Sequence, residues 1–166
     1  MSRRHAAKKR EILPDIKFNS VTLAKFINKV MEQGKKALAE KIVYSALERI
    51  TSKHKADGYE VFSTAMDNIK PVLEVKSVRV GGANYQVPDA VDKHRAEALA
   101  IRWILKACSK RSERSMIEKL SEELFDAFNK KGASIKSRED THKMAEANRA
   151  FAHFNPKRNK PITSQR

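Results

Sequence analysis

The chain has 166 residues, with 35 Lys and Arg against 20 Asp and Glu, so it carries a formal charge of +15. A single cysteine, five Gly and five Pro exclude a disulfide scaffold, a Cys-rich zinc site and collagen-like or Pro-rich low-complexity sequence. No apolar run approaches a membrane span, while 40% hydrophobic residues can bury a core and 33% charged residues suit a polyanionic partner.

The charge is concentrated at the ends. Residues 1–10 hold Arg3, Arg4, Lys8, Lys9 and Arg10, and residues 155–166 hold Lys157, Arg158, Lys160 and Arg166, both without an acid. Together they supply nine of the fifteen net charges. A basic arm over 1–18, a helical body over 19–154 and a basic tail over 155–166 are expected, and each phosphate such tails meet releases condensed counterions. The lone thiol points to a reducing compartment.

Helical periodicity dominates the body. Ser20 is placed to cap a first helix with Leu23, Phe26, Ile27, Val30 and Met31 on one stripe, and Gly34 to end it. A second helix is expected from Lys35 to Ile50, with Ala39, Ile42, Val43, Ala46 and Ile50 on one face. Asp57 and Glu60 have capping-box spacing for a third, carrying Val61, Phe62, Ala65, Met66 and Ile69 up to Pro71.

The period then changes. Residues 72–88 are rich in β-branched side chains around Gly81-Gly82, the pattern of a hairpin with a two-residue primed turn. Pairing Val80 with Ala83 sets Val78 opposite Tyr85 and Lys76 opposite Val87, leaving Ser77, Arg79, Asn84 and Gln86 on the other face. Such a ribbon needs a helix or a partner to lean on.

Helices resume at Lys93. The fourth, to Lys110, is apolar on several sides and is expected to be the central buried helix. Ser115 and Glu118 make a capping box for a fifth, with Ile117, Leu120, Leu124 and Phe128 inward and Gly132 closing it, and Glu122, Glu123 and Asp126 expected on its solvated side. A sixth is expected from Ser134 or Ser137 through Ala152. The fold class is therefore mainly α, a bundle of about six helices with an inserted two-stranded hairpin.

Catalytic chemistry is thin. His5, His54, His94, His142 and His153 are scattered without metal-ligand spacing, and Cys108 lies in an apolar helical run where a thiol behaves as a small hydrophobe. No enzyme activity, metal, cofactor, small-molecule substrate or membrane contact is expected. Basic clusters are plentiful: Lys35 and Lys36, Lys76 and Arg79, Arg95 and Arg102, Lys110, Arg111 and Arg114, then Lys136 and Arg138, beside Arg3, Arg4, Lys8 and Arg10 in the arm. They describe a polyphosphate footprint spread over loops, ribbon and tails, with Gly81, Gly82, Asn84 and Tyr85 at the ribbon tip and Tyr85 the one ring placed to stack on a base. The competing reading, a basic helical DNA-binding protein, requires a recognition helix, and the fourth helix is too apolar to lie in a groove.

The stretches KFINKVMEQGKKALAEKIVYSAL (25–47), LEVKSVRVGGANYQVP (73–88), ALAIRWI (98–104), KRSERSM (110–116) and REDTHKMAEANRAFAHF (138–154) closely resemble the seventh-protein family of the bacterial small ribosomal subunit. The resemblance runs in order from Arg3 to Phe154. It implies a helical bundle with a protruding ribbon that binds the 3′ major domain of 16S ribosomal RNA and nucleates assembly of the subunit head. The protein would sit near the decoding centre, with exit-site tRNA and messenger RNA nearby and the ninth and eleventh small-subunit proteins as neighbours, in the cytoplasm or in an organelle's ribosome. The family's basic positions match Arg3, Arg4 and Arg10 in the arm, Lys35 and Lys36 after the first helix, and Lys76 and Arg79 on the ribbon. The family's KRSxxSM turn matches Lys110, Arg111 and Met116, and its basic entry to the last helix matches Lys136 and Arg138. This chain has Val78-Arg79 where many members carry two arginines, and its ending after Phe154 is unlike theirs.

Overall fold

A computed structural model describes residues 10–155. Six α-helices, α1 (Val21–Val30), α2 (Lys36–His54), α3 (Gly58–Ile69), α4 (Lys93–Lys110), α5 (Met116–Phe128) and α6 (Ala133–Ala147), enclose one core. The strands β1 (Leu73–Val80) and β2 (Ala83–Ala90) are inserted between α3 and α4, and a terminal 3-10 helix covers Arg149–Phe154. Arg3, Arg4 and Lys8, and the tail beyond Asn155, lie outside the described residues.

Helix starts follow local chemistry. Ser20 Oγ accepts from the Leu23 amide at 3.3 Å, and Ser115 and Glu118 form the full reciprocal box. At α3 the Asp57 carboxylate caps the Tyr59 amide at 3.1 Å. Some ends differ from expectation. α1 stops at Val30, and Gly34 lies beyond it at φ +76° in the connecting turn. α2 outlasts its apolar stripe, because Thr51, Ser52 and Lys53 continue it until Lys55 closes it in a left-handed conformation. α6 ends at Ala147, where the Asn148 side-chain amide donates to the Met144 carbonyl at 2.8 Å and the chain tightens into the 3-10 helix.

The inward faces of α1, α2 and α3 are those the periodicity predicts: Leu23, Phe26, Val43, Ile50, Phe62, Met66 and Ile69 are fully or almost fully buried. Phe26 meets Phe62 edge to face at a centroid distance of 5.3 Å. Each large apolar side chain withdrawn from water contributes roughly 1.5–3 kcal/mol. α2 and α3 approach so closely at Gly58 that a Cβ there would stand 2.4 Å from the Leu47 carbonyl oxygen.

α5 lies against α2, α3, α4 and α6. α4 packs on α1, α3, α5 and α6 but keeps one edge in solvent, because Arg95, Ala98, Arg102, Lys106 and Lys110 interrupt its apolar sides. Glu123 corrects the expectation of a solvated acidic face on α5, since it is 1% exposed, whereas Glu122 and Asp126 remain partly accessible.

The hairpin has the expected register, Val80↔Ala83, Val78↔Tyr85 and Lys76↔Val87. Gly81 and Gly82 turn it at φ +58° and +90°, the primed-turn combination. It is anchored on α6 and the terminal 3-10 helix. Val87 is buried, and the Tyr85 ring lies 5.4 Å from Phe151 and 5.0 Å from Phe154. Tyr85 thus spends its face on the protein's own aromatics instead of standing free for a base.

Candidate nucleic-acid interface

The structure sorts the cations into those bound internally and those left facing water. At the ribbon root the residues Glu74 and Asp89 are 5% and 9% exposed. Buried carboxylates need partners. Lys76 Nζ supplies them at 2.8 Å to Asp89 and 3.2 Å to Glu74, and Arg95 Nε donates to both Glu74 oxygens at 2.6 and 2.8 Å. The Asp89 and Glu74 bonds raise the Lys76 pKa and hold it charged. The Asn155 side chain closes the same cluster on the Pro88 carbonyl and on Asp89.

Arg111 is held more tightly. Its guanidinium donates to Glu113 at 3.0 Å, Glu123 at 2.9 Å and Asp126 at 2.7 Å. Burial works to lower its pKa, but the bonds to Asp126, Glu123 and Glu113 prevail and raise it. Arg138 donates to the Asn68 carbonyl, tying α6 to the end of α3. Lys36 stands 3.7 Å from Glu40, a distance at which exposed helical pairs contribute only a few tenths of a kcal/mol.

Arg10, Lys35, Arg79, Arg102, Lys110, Arg114 and Lys136 remain exposed and make no ion pair among the described residues. Arg79 shares the ribbon's solvent face with Ser77, Asn84 and Gln86. Arg102 and Lys110 stand on the open edge of α4, eight residues and so about 12 Å apart at the helical rise. Lys106 stands midway on the same edge, exposed and likewise without an ion pair among the described residues. Like charges at i, i+4 repel, so this row costs the isolated helix a little stability that only an anion recovers. The sequence reading missed Lys106 because it sits amid the apolar Trp103–Ala107 run; the four-residue spacing from Arg102 and Lys110 was the available signal. Met116 is half-buried and lines a groove of about 590 Å³ with Lys35, Leu38 and Ser109.

Other chemistry is silent. Burial pushes the Cys108 thiol up to about 12, and its Sγ lies 3.7 Å from the Lys119 carbonyl. Desolvation followed by the hydrogen bond to Asp15 raises the Tyr44 hydroxyl to about 12. That bond, with the Phe18 ring stacked on Tyr59 at 5.0 Å, pins residues 15–18 to the body, so the arm expected over 1–18 is docked at its inner end. No His, Cys, Asp and Glu group among the described residues has the arrangement to hold a metal ion.

Comparison with known sequences places this arrangement. Residues 2–149 match the family described as ribosomal protein S7p/S5e. The small ribosomal subunit protein uS7 of Rickettsia bellii is 68% identical over 160 residues, covering 96% of this chain and 98% of that protein. That of Rickettsia rickettsii strain Sheila Smith is 66% identical with 96% and 100% coverage, and that of Rickettsia felis 65% identical with 95% and 99%. A bundle with an inserted ribbon, a cationic surface and near-complete alignment at this identity all agree, and the chain belongs to the ribosomal protein S7p/S5e family.

Proposed function

We propose that this chain binds the 3′ major domain of 16S ribosomal RNA and nucleates assembly of the small-subunit head. As a family member it is a structural, non-catalytic ribosomal protein of the small subunit. The finer reading is supported above all by the exposed cations Arg102, Lys106 and Lys110 along one edge of α4, continued by Arg114 in the next turn. From Arg102 to Lys110 the row has no intervening acid, and Glu113 in the turn before Arg114 is taken up by Arg111; such a row follows a phosphate backbone and gains affinity from counterion release. Half-buried Trp103 and Leu105 leave that edge without an exposed aromatic platform, which favours structured RNA over stacked single strands.

The outer face of the ribbon, with Arg79, Asn84 and the Gly81-Gly82 tip, reaches toward exit-site tRNA and the messenger path in this reading. The ninth and eleventh small-subunit proteins are its neighbours, in a cytoplasmic ribosome. The basic arm, the helical body over 19–154 and the tail act as successive parts of one RNA-binding unit. The test is a salt titration of the purified chain against a transcript of the 3′ major domain and a DNA duplex of equal length. Tighter binding to the transcript at every salt concentration, with log affinity falling linearly in log salt, is expected. Equal affinity for the duplex would overturn the reading in favour of general polyanion binding.

A further inference from the structure

Glu123 is the most enclosed ionisable side chain of α5, and both its oxygens are engaged. Oε1 accepts from the Ser134 amide at 3.0 Å and the Ser134 hydroxyl at 2.6 Å, while Oε2 accepts from Arg111 at 2.9 Å. Ser134 is fully buried in the first turn of α6, and a Cβ at Gly132 would stand 3.0 Å from the same Oε1. One carboxylate therefore joins the turn between α4 and α5 to the turn between α5 and α6. Those turns and the helix ends beside them carry Lys110 and Arg114 on one side and Lys130, Lys131 and Lys136 on the other, all exposed.

We propose that Glu123 and Arg111 are positioning residues for RNA binding: the clasp fixes the spacing of the two cationic turns, and Arg111 itself touches no phosphate. The argument rests on the RNA-binding reading above and on local charge. Arg111 is one cation among the carboxylates of Glu113, Glu123 and Asp126, so a phosphate approaching it meets a net negative group. Lys110 and Arg114, its neighbours in sequence, make no ion pair among the described residues and face solvent. Two loosely held turns would lose orientation each time an RNA dissociated; a shared buried carboxylate keeps them set, which lowers the ordering cost of binding.

Bulk electrostatics and positioning predict opposite signs for Glu123→Gln. Removing a negative charge from a cationic protein should tighten a binder governed by net charge, whereas releasing the turns should weaken it. The experiment measures binding of the full chain to the 3′ major domain transcript across salt concentrations. It compares wild type, Glu123→Gln, Arg111→Gln and the double variant, with Ile104→Val as a core variant outside the clasp, each checked for native helical dichroism at the assay temperature. The expected result is a roughly 3- to 10-fold weaker Glu123→Gln, with a salt slope shallower by about 0.7–0.9 per lost phosphate contact. The double variant should be no weaker than Arg111→Gln, because both remove the same clasp. Ile104→Val should bind as wild type.

Glu123→Gln binding as tightly as wild type or tighter would overturn the proposal, and so would losses that add in the double variant, since Arg111 would then hold a phosphate of its own. Should Glu123→Gln fail to fold, Ser134→Ala keeps the charge and the amide bond and removes only the hydroxyl bond. A smaller loss in the same direction supports the clasp, and unchanged binding overturns it. A wild-type chain that does not bind the transcript would instead remove the RNA reading itself.

Discussion

Replacing Gly58 by alanine sets local propensity against packing, and the two predict opposite signs. Gly58 opens α3 and is not among the glycines with positive φ, so on backbone entropy alone the change should stabilise by about 0.4–1 kcal/mol. The new methyl group would stand 2.4 Å from the Leu47 carbonyl oxygen, 2.9 Å from its carbon and 3.1 Å from its Cα, all backbone atoms within α2. Reaching ordinary contact requires α3 to withdraw by roughly 1 Å, and overpacking of that kind costs about 1–3 kcal/mol. Withdrawal also stretches the 3.1 Å bond from the Gly58 amide to Thr51 Oγ1, which contributes a further ~1 kcal/mol. A net loss of about 1–3 kcal/mol lowers the Tm of a chain this size by roughly 2–12 °C. Thermal and urea unfolding followed by far-ultraviolet circular dichroism measure it. A Tm equal to or above wild type would mean that the α2–α3 contact yields freely, and the packing argument would fall.

The ribbon turn behaves differently, because nothing lies within 4 Å of a Cβ at Gly81 or Gly82. Valine at both positions meets only the left-handed backbone, at about 1–2 kcal/mol each, so the tip should distort while core unfolding shifts by less than a few degrees; a collapse of helical dichroism would contradict this. Tyr85→Ala removes two ring contacts at about 0.5–1.5 kcal/mol apiece, and faster amide exchange confined to residues 149–154 is the expected readout. Removing residues 1–9 deletes Arg3, Arg4, Lys8 and Lys9, so the salt slope of RNA binding should become shallower; an unchanged slope would show that none of the four meets a phosphate. His142 accepts the Val72 amide through Nε2, and desolvation followed by Arg138 lowers its pKa below the ordinary 6.5. The folded state resists its protonation, so stability should fall as pH drops below about 6.5, and His142→Gln should flatten that part of the pH profile.

The ribbon register was legible because strand alternation and a glycine pair leave few choices, and the helix caps because Ser20, Asp57 and Ser115 act within three residues of themselves. The inward faces of α1 to α3 followed from spacing alone. What the chain did not disclose is which cations its own carboxylates consume. Arg95 meets Glu74 across 21 positions and Arg111 meets Glu123 across 12, pairings made by tertiary packing. Composition counts these arginines with the free ones. Glu123 had left a sign, since Leu120, Glu123, Leu124 and Ala127 share one helical stripe and an acid there faces inward. Tyr85 had left none, because Phe151 and Phe154 reach it only once α6 tightens into its last turns. The family positions at Lys76, Arg111 and Arg138, and Arg95 beside them, thus divide by partner in a way that residue type does not reveal.

The ribbon root separates two responses to ionic strength. Glu74 and Asp89 side chains are only 7% and 11% accessible, although Lys76 and Arg95 are 42% and 53% accessible, so mobile ions screen these half-enclosed pairs less than they screen an open cation such as Arg79 or Arg102. Raising the salt from physiological to several times that level should weaken the proposed outer contacts first, while the Tyr85 aromatic cluster, which carries no charge, holds. If the ribbon binds as proposed, it should leave a high-salt wash in the orientation it had before, and rebinding after dilution should need no step in which the ribbon finds its place again.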